Sequence, residues 1–228
     1  MDKQKKLIEY FSGHLTDARK ALIESLLKER TRYVSVVLED IHQSLNASAI
    51  LRSCDGFGVQ DVHIIEQKNN FIEIKRNIAM GTSKWLNLHY YNSQTLENPT
   101  QACITKLKND GYTIVATSPH ATDTLETLSL DNKVALLFGT EDEGLTKQAF
   151  DLADKTIKIP MYGFAESFNV SVSAALCLYA LTTRIRALNV AWQLTEQEQA
   201  ALKLLWYKSS VVNPEFHERR FLQEQGLL

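Results

Sequence analysis

The chain has few cysteines and nothing obvious to pair them with. Cys54, Cys103 and Cys177 are odd in number and far apart among 228 residues, which argues against a disulfide framework or thiolate metal sites and leaves buried or inert thiols. Long apolar runs are missing too: no stretch approaches the roughly 18 uncharged residues of a membrane span. The N-terminus, Met1-Asp2-Lys3-Gln4-Lys5-Lys6, leads into an amphipathic segment rather than a signal-peptide core, so a cytoplasmic protein without membrane association is expected. Internal repeats and low-complexity segments are absent. So are a Gly-x-Ser-x-Gly elbow and a Walker loop, which removes support for hydrolase and nucleotide-triphosphatase chemistry. The six histidines form no ligand pair. Gly56-Phe57-Gly58 follows a helical stretch, precedes an apolar run and lacks a third glycine, which does not suit a dinucleotide fingerprint.

What is present supports a full core, with 44% hydrophobic residues. The net charge of -2 is unevenly distributed. Residues 1–32 carry eight Lys/Arg against five Asp/Glu, residues 184–228 carry six against five, and the middle carries eleven against seventeen. A basic N-terminal arm on an acidic body suits either a grip on a polyanion or an ordinary solvated helix face.

Short, nearly continuous β-rich runs recur at Tyr33 to Leu38, Val62 to Ile65, Tyr112 to Thr117, Val134 to Phe138 and Thr156 to Ile159. Between them lie helix-like stretches at 44–56, 98–109 and 146–153, and a long one after Asn169 in which Ala174, Leu178, Leu181, Ile185 and Leu188 keep helical spacing. Strands buried on both faces and alternating with helices predict an α/β fold with a parallel sheet over residues 31–188. Residues 2–29, with Leu7, Phe11, Leu15, Ala18, Leu22 and Leu26 at spacings of three and four, predict a helical extension over 1–30. Helix starts at Thr195-Glu196 and Asn213-Pro214 predict a second helical extension over 189–228.

Three constellations can carry chemistry. Asn46, Ala49 and Arg52 fall within about a third of one helix circumference, pairing an amide with a guanidinium suited to phosphate; a capped helix with one surface arginine is the plainer alternative. Phe138-Gly139-Thr140-Glu141-Asp142-Glu143-Gly144-Leu145 runs from a strand into a glycine-bracketed loop, whose backbone must turn sharply or pass close to a ligand. Its three carboxylates lack calcium-loop spacing and no histidine is near, so no metal is expected. Ile159-Pro160-Met161 ends a strand, and Ser167-Phe168-Asn169 then enters the long helix through side chains able to cap its first free N–H groups.

Taken together, Asn46-x-x-Ala49-x-x-Arg52, Phe138-Gly139-x-Glu141-x-x-Gly144-Leu145, and Ile159-Pro160-Met161 with Ser167-x-Asn169-Val170-Ser171-Val172 resemble, in order and spacing, the three motifs of the SPOUT RNA 2′-O-ribose methyltransferases. Within that family the whole chain is similar to the tRNA guanosine-18 branch. Phe168 stands where the family usually has leucine. The resemblance implies a deep trefoil knot at the C-terminal side of the core and S-adenosylmethionine bound there against Thr117, Gly139, Ile159, Met161 and Phe168. It further implies a homodimer with the site completed across its interface, and tRNA as partner. By the same resemblance Arg52 is catalytic, as base or as phosphate clamp, and Asn46 orients it or the target phosphate. Glu141 organises the site, and Ser167 and Asn169 position the arginine and the ribose. The same chemistry on ribosomal RNA or on the tRNA wobble nucleotide, or a catalytically silent RNA-binding module, are the alternatives.

Overall fold

The computed structural model describes residues 3–68 and 81–227; the outermost residues of the two expected extensions lie outside the described residues. In chain order the elements are α1 (Lys3–Ser12), α2 (Asp17–Leu27), β1 (Val34–Glu39), α3 (Ser44–Gly56), β2 (Asp61–Glu66), a 3-10 turn at Ser83–Trp85, β3 (Asn87–Asn92), α4 (Pro99–Asn109), β4 (Tyr112–Thr117), β5 (Asp123–Thr124), β6 (Lys133–Phe138), α5 (Lys147–Leu152), β7 (Lys155–Lys158), α6 (Val170–Ala187), α7 (Glu196–Lys208) and α8 (Pro214–Glu224). They form two compact units, one of residues 31–192 and one of the terminal segments 1–30 and 193–228. Among the described residues no helix is long and apolar enough to cross a membrane.

The larger unit is built on a seven-stranded, wholly parallel sheet of order β3-β2-β1-β6-β4-β7-β5. β1 lies inside it, next to the central strand β6, pairing Val36 with Val62 of β2 on one side and Leu38 with Phe138 of β6 on the other. Alternation along β1 feeds two cores: Val34, Val36 and Leu38 join a cluster with α3 and α6, and Val37 joins a cluster with α4 and α5. Both faces are covered, which is why every residue of β1 is buried and the run carries no polar alternation. The expected strands are found as β1, β2, β4, β6 and β7, but β3 and β5 were not expected from the sequence. β3 is half-buried and reads Asn-Leu-His-Tyr-Tyr-Asn, polar enough to hide an edge strand, and β5 has two residues.

A buried carboxylate ties the C-terminal ends of the central strands together. Glu39, 2% exposed at the end of β1, accepts from the Thr100 hydroxyl at 2.7 Å and from the backbone N–H and hydroxyl of Thr146 at 2.8 and 2.9 Å. Thr146 is the N-cap of α5, accepting from the Ala149 N–H at 3.1 Å. The carboxylate serving that helix start therefore comes from β1, and not from the acidic loop 141–143 that precedes the helix. Asp40, held at φ 54°, accepts from the N–H groups of Gln67 and Lys68 at 2.8 and 2.9 Å. The loop after β2 is thereby pinned to the loop after β1.

In the smaller unit Leu7, Phe11, Ile23, Leu27, Leu202, Trp206, Tyr207 and Leu222 are buried. Helix α2 buries Ile23 and Leu27, whereas Leu22 and Leu26 are 47 and 42% exposed. The spacing of Leu7, Phe11, Leu15, Ala18, Leu22 and Leu26 runs in one helical phase through α1 and α2. The turn between them, where Thr16 caps α2 by accepting from the Arg19 N–H at 3.2 Å, resets that phase by one residue. Thr195 and Glu198 form a reciprocal capping box at the start of α7. Arg30 is buried over the Trp206 ring at 4.9 Å.

Candidate functional site

Strands β4, β6 and β7 deliver their C-terminal ends to one cavity of about 670 Å³, a size ordinary for a small-molecule site, and at the sheet edge where such sites form in parallel α/β folds. All five residues expected to bind cofactor, Thr117, Gly139, Ile159, Met161 and Phe168, line it, as do Glu141, Ser167 and Asn169. Its floor includes Ser173 and Cys177 from α6. Burial pushes the Cys177 thiol up to about 12, so it stays protonated and takes no nucleophilic role. The other two cysteines are likewise buried.

The loop after β6 explains its own glycines. Thr140 and Gly144 exchange backbone hydrogen bonds at 3.1 and 3.0 Å, with the Glu143 N–H donating to the Thr140 hydroxyl at 3.1 Å. Gly144 has φ 71°. A Cβ on Gly139 would stand 2.1 Å from the Gly144 carbonyl carbon, so the close approach demanded of Gly139 is to its own loop. The folded-back loop turns Glu141 toward α3. At the neighbouring strand end the Thr117 hydroxyl donates to the Leu137 carbonyl at 2.8 Å, locking β4 to β6 beside the cavity.

Asn46 joins three of these segments. Buried at 8% exposure, it donates through Nδ2 to Glu141 Oε1 and, at 3.0 Å, to Gln43 Oε1. Its Oδ1 accepts from Asn169 Nδ2 at 3.1 Å. Asn169 is the N-cap of α6, its Oδ1 accepting from the N–H and hydroxyl of Ser171 at 2.9 and 2.6 Å. The orientations of both amides are dictated from their ends: an ionised Glu141 can only accept and the Ser171 N–H can only donate. Glu141 Oε2 is buried with no hydrogen-bond partner among the described residues. Ser167, expected to help cap α6, is exposed and makes no such bond; capping falls to Asn169 alone.

Of the expected site residues Asn46 and Arg52 do not line the cavity; Asn46 is tied to it through Glu141 and Asn169, but Arg52 is not. It is exposed on α3 and makes no hydrogen bond or ion pair with the described residues. Asn46, on the same helix, faces inward, and the two side chains point apart because six residues carry them 120° around the axis. Gln43, immediately before α3, lines the cavity and was missed in the sequence; its only sequence signal was its place three residues before Asn46. Among the described residues no group of three or more His, Cys, Asp or Glu could hold a metal ion.

The cations of the two terminal segments are not equivalent. Arg30 is buried and Arg32 pairs with Asp61 at 2.7 Å, so both serve the fold. Lys20 pairs with Asp17 at 2.7 Å and Arg220 with Glu224 at 2.8 Å along their own helices. Lys3, Lys5, Lys28 and Arg219 are exposed.

Comparison with known proteins places this site. The model of the SpoU rRNA Methylase family matches residues 33–179. A tRNA (guanosine(18)-2′-O)-methyltransferase of Borreliella burgdorferi is 42% identical over 214 residues, covering 93% of this chain and 95% of that protein. The protein of the same name from Thermus thermophilus is 35% identical over 175 residues, covering 75 and 86%. The solved structure of an A. aeolicus TrmH/SpoU tRNA modifying enzyme superposes with a TM-score of 0.71 at 27% identity, over 86% of this chain and 98% of that one. The motifs that line the cavity fall inside the matched span, and the chain belongs to the SpoU rRNA Methylase family.

Proposed function

We propose that the chain is a tRNA (guanosine(18)-2′-O)-methyltransferase that uses S-adenosylmethionine. The observation that carries the reading is the single cavity in which the ends of β4, β6 and β7 collect Thr117, Gly139, Ile159, Met161 and Phe168 beside Glu141, Ser167 and Asn169. The relatives named above are tRNA (guanosine(18)-2′-O)-methyltransferases, which favours tRNA over other RNAs. The cavity fits such a cofactor in volume and in its mixture of apolar side chains and loop backbone. When bound there, the cofactor supplies an activated methyl group.

The chain's own residues must hold a ribose hydroxyl in line with that methyl and manage its proton. Asn46 fixes Glu141 and Asn169 in one arrangement and has no hydrogen-bonding proton left for substrate. Glu141 Oε2, buried and without a partner among the described residues, is an acceptor for a guanidinium or a hydroxyl. A guanidinium holds its proton too tightly to be a good base, so Arg52 serves as a phosphate clamp that stabilises charge.

We assign the missing arginine to a second copy of the chain. Val172, Leu176 and Tyr179 are 44, 39 and 61% exposed at i, i+4 and i+7 on α6, an apolar stripe suited to a homodimer. In that dimer Arg52 of one protomer completes the cavity of its partner. We further read the segment following β6 as the knotted part of the core, residues 31–188 as the methyltransferase body, and 1–30 with 189–228 as extensions that contact tRNA through Lys3, Lys5, Lys28 and Arg219. The test is equilibrium binding of labelled S-adenosylmethionine and methyl transfer to tRNA, with wild type and Arg52→Ala compared. Binding should survive in the variant while transfer is lost. Full transfer by the variant would remove Arg52 from the mechanism, and wild type that binds cofactor but methylates no RNA would sink the reading.

A further inference from the structure

The hydrogen-bond chain that starts at Glu141 does not stop at Asn46. Because Glu141 accepts one Nδ2 proton of Asn46, the other proton points to Gln43, whose carboxamide must turn Oε1 inward to accept it at 3.0 Å. That leaves Gln43 Nε2 on the outer side, where it makes no hydrogen bond with a described residue, although Gln43 lines the cavity. The polarity is set from the far end: a carboxylate, an amide and a second amide in series can be satisfied only with the last donor facing away from Glu141. Donation into Gln43 Oε1 also polarises that amide and strengthens its outward N–H.

We infer that Gln43 is a further ligand-binding residue of this site, presenting its Nε2–H to an oxyanion of one of the reactants, either a phosphate of the RNA or the carboxylate of the cofactor; the inference rests on the methyltransferase reading. Glu141 supplies the reason for a neutral donor at this point. An oxyanion entering beside a carboxylate is repelled at close range, and the Asn46–Gln43 relay separates the two charges while offering the incoming one a donor. Gln43 thereby has two duties that one substitution separates. Gln43→Glu keeps an acceptor for Asn46 and replaces the outward donor with a charged acceptor. Gln43→Ala removes both.

The experiment measures the cofactor Kd without RNA, and KM for tRNA and kcat at saturating cofactor, for wild type and both variants. If the oxyanion is an RNA phosphate, Gln43→Glu raises KM for tRNA at least tenfold with the cofactor Kd unchanged. If it is the cofactor's carboxylate, Gln43→Glu weakens cofactor binding by a similar factor and leaves KM for tRNA in place. In both cases Gln43→Ala moves the same constant in the same direction by a smaller factor. Gln43→Glu matching wild type in both constants would overturn the inference and confine Gln43 to holding Asn46. So would a fall in kcat alone, which would report a disturbed Glu141. A wild-type protein silent on tRNA would overturn the methyltransferase reading and this inference with it.

Discussion

Replacing Asn46 with aspartate should be among the most damaging single-atom-scale changes in the core of the site. In wild type the Asn46 amide makes one hydrogen bond to the Glu141 carboxylate and one each with Gln43 and Asn169. A bond to a charged group contributes about 1.5–3 kcal/mol and a neutral one about 1 kcal/mol. Gln43 and Asn169 are exposed and regain water, so Asn46→Ala should cost about 3 kcal/mol. Asn46→Asp keeps the acceptor for Asn169 but sets a second carboxylate against Glu141, and two such charges ~4 Å apart repel by about 4 kcal/mol at an effective dielectric of 20. At pH 8 the aspartate variant should therefore be at least as unstable as the alanine variant. The repulsion raises the folded-state pKa of the introduced aspartate above its unfolded value near 3.9. Protonation then favours the native state, so the variant should recover about 2 kcal/mol relative to wild type as pH falls from 8 to 5. Urea denaturation of wild type and both variants across that range measures this. An aspartate variant as stable as wild type at pH 8, or one whose deficit does not change with pH, would refute the network.

Three further outcomes follow from the same structure. Gly139→Ala places a Cβ 2.1 Å from the Gly144 carbonyl carbon, so the loop must open; cofactor binding measured by calorimetry should fall more than tenfold, and unchanged affinity would mean the loop yields without consequence. Glu39→Ala leaves the hydroxyl and N–H of Thr146 without their buried acceptor and should cost about 3 kcal/mol in urea denaturation, with Glu39→Gln much milder; equal stability of Glu39→Ala and wild type would show that the clamp carries no energy. His63 is buried against His89, Asp61 and Tyr91 with Lys106 and Asp110 nearby, and burial, then the His89 ring, lowers its pKa from 6.5 to about 4. The unfolded chain gains a proton there below 6.5 that the native chain refuses, so stability should fall by about 3 kcal/mol as pH drops from 7 to 4, and His63→Phe should flatten that slope.

Much of the site was legible because its residues are constrained by backbone geometry that leaves a mark in sequence. Strands buried on both faces appear as uninterrupted apolar runs, so β1, β4 and β6 were found within a residue of their ends. Gly139 and Gly144 signalled a loop too tight for a side chain, and Asn169 signalled a helix start. What escaped depends on tertiary partners. β3 and β5 carry too little apolar pattern for a period to be read. Glu39 fell just past the expected strand Tyr33 to Leu38 and drew no notice, yet its acceptors serve Thr100 and Thr146, residues 61 and 107 positions away. Leu188 continued the periodicity of α6 on paper but caps its C-terminus 46% exposed. Ser167 was given a cap it does not make. Because α1 and α2 bury Leu7, Phe11, Ile23 and Leu27, exchange of Lys3, Lys5 and Lys28 for glutamine tests the proposed contact with RNA without dismantling a core.

The most direct test of the whole account is to incubate the purified protein with tritiated S-adenosylmethionine and unmodified tRNA transcript, and to map the labelled nucleotide. The account predicts one labelled ribose, that of guanosine 18 in the D-loop, and no label on base atoms. Label on ribosomal RNA with none on tRNA would contradict the assigned substrate, and no transfer to any RNA would contradict the assigned chemistry.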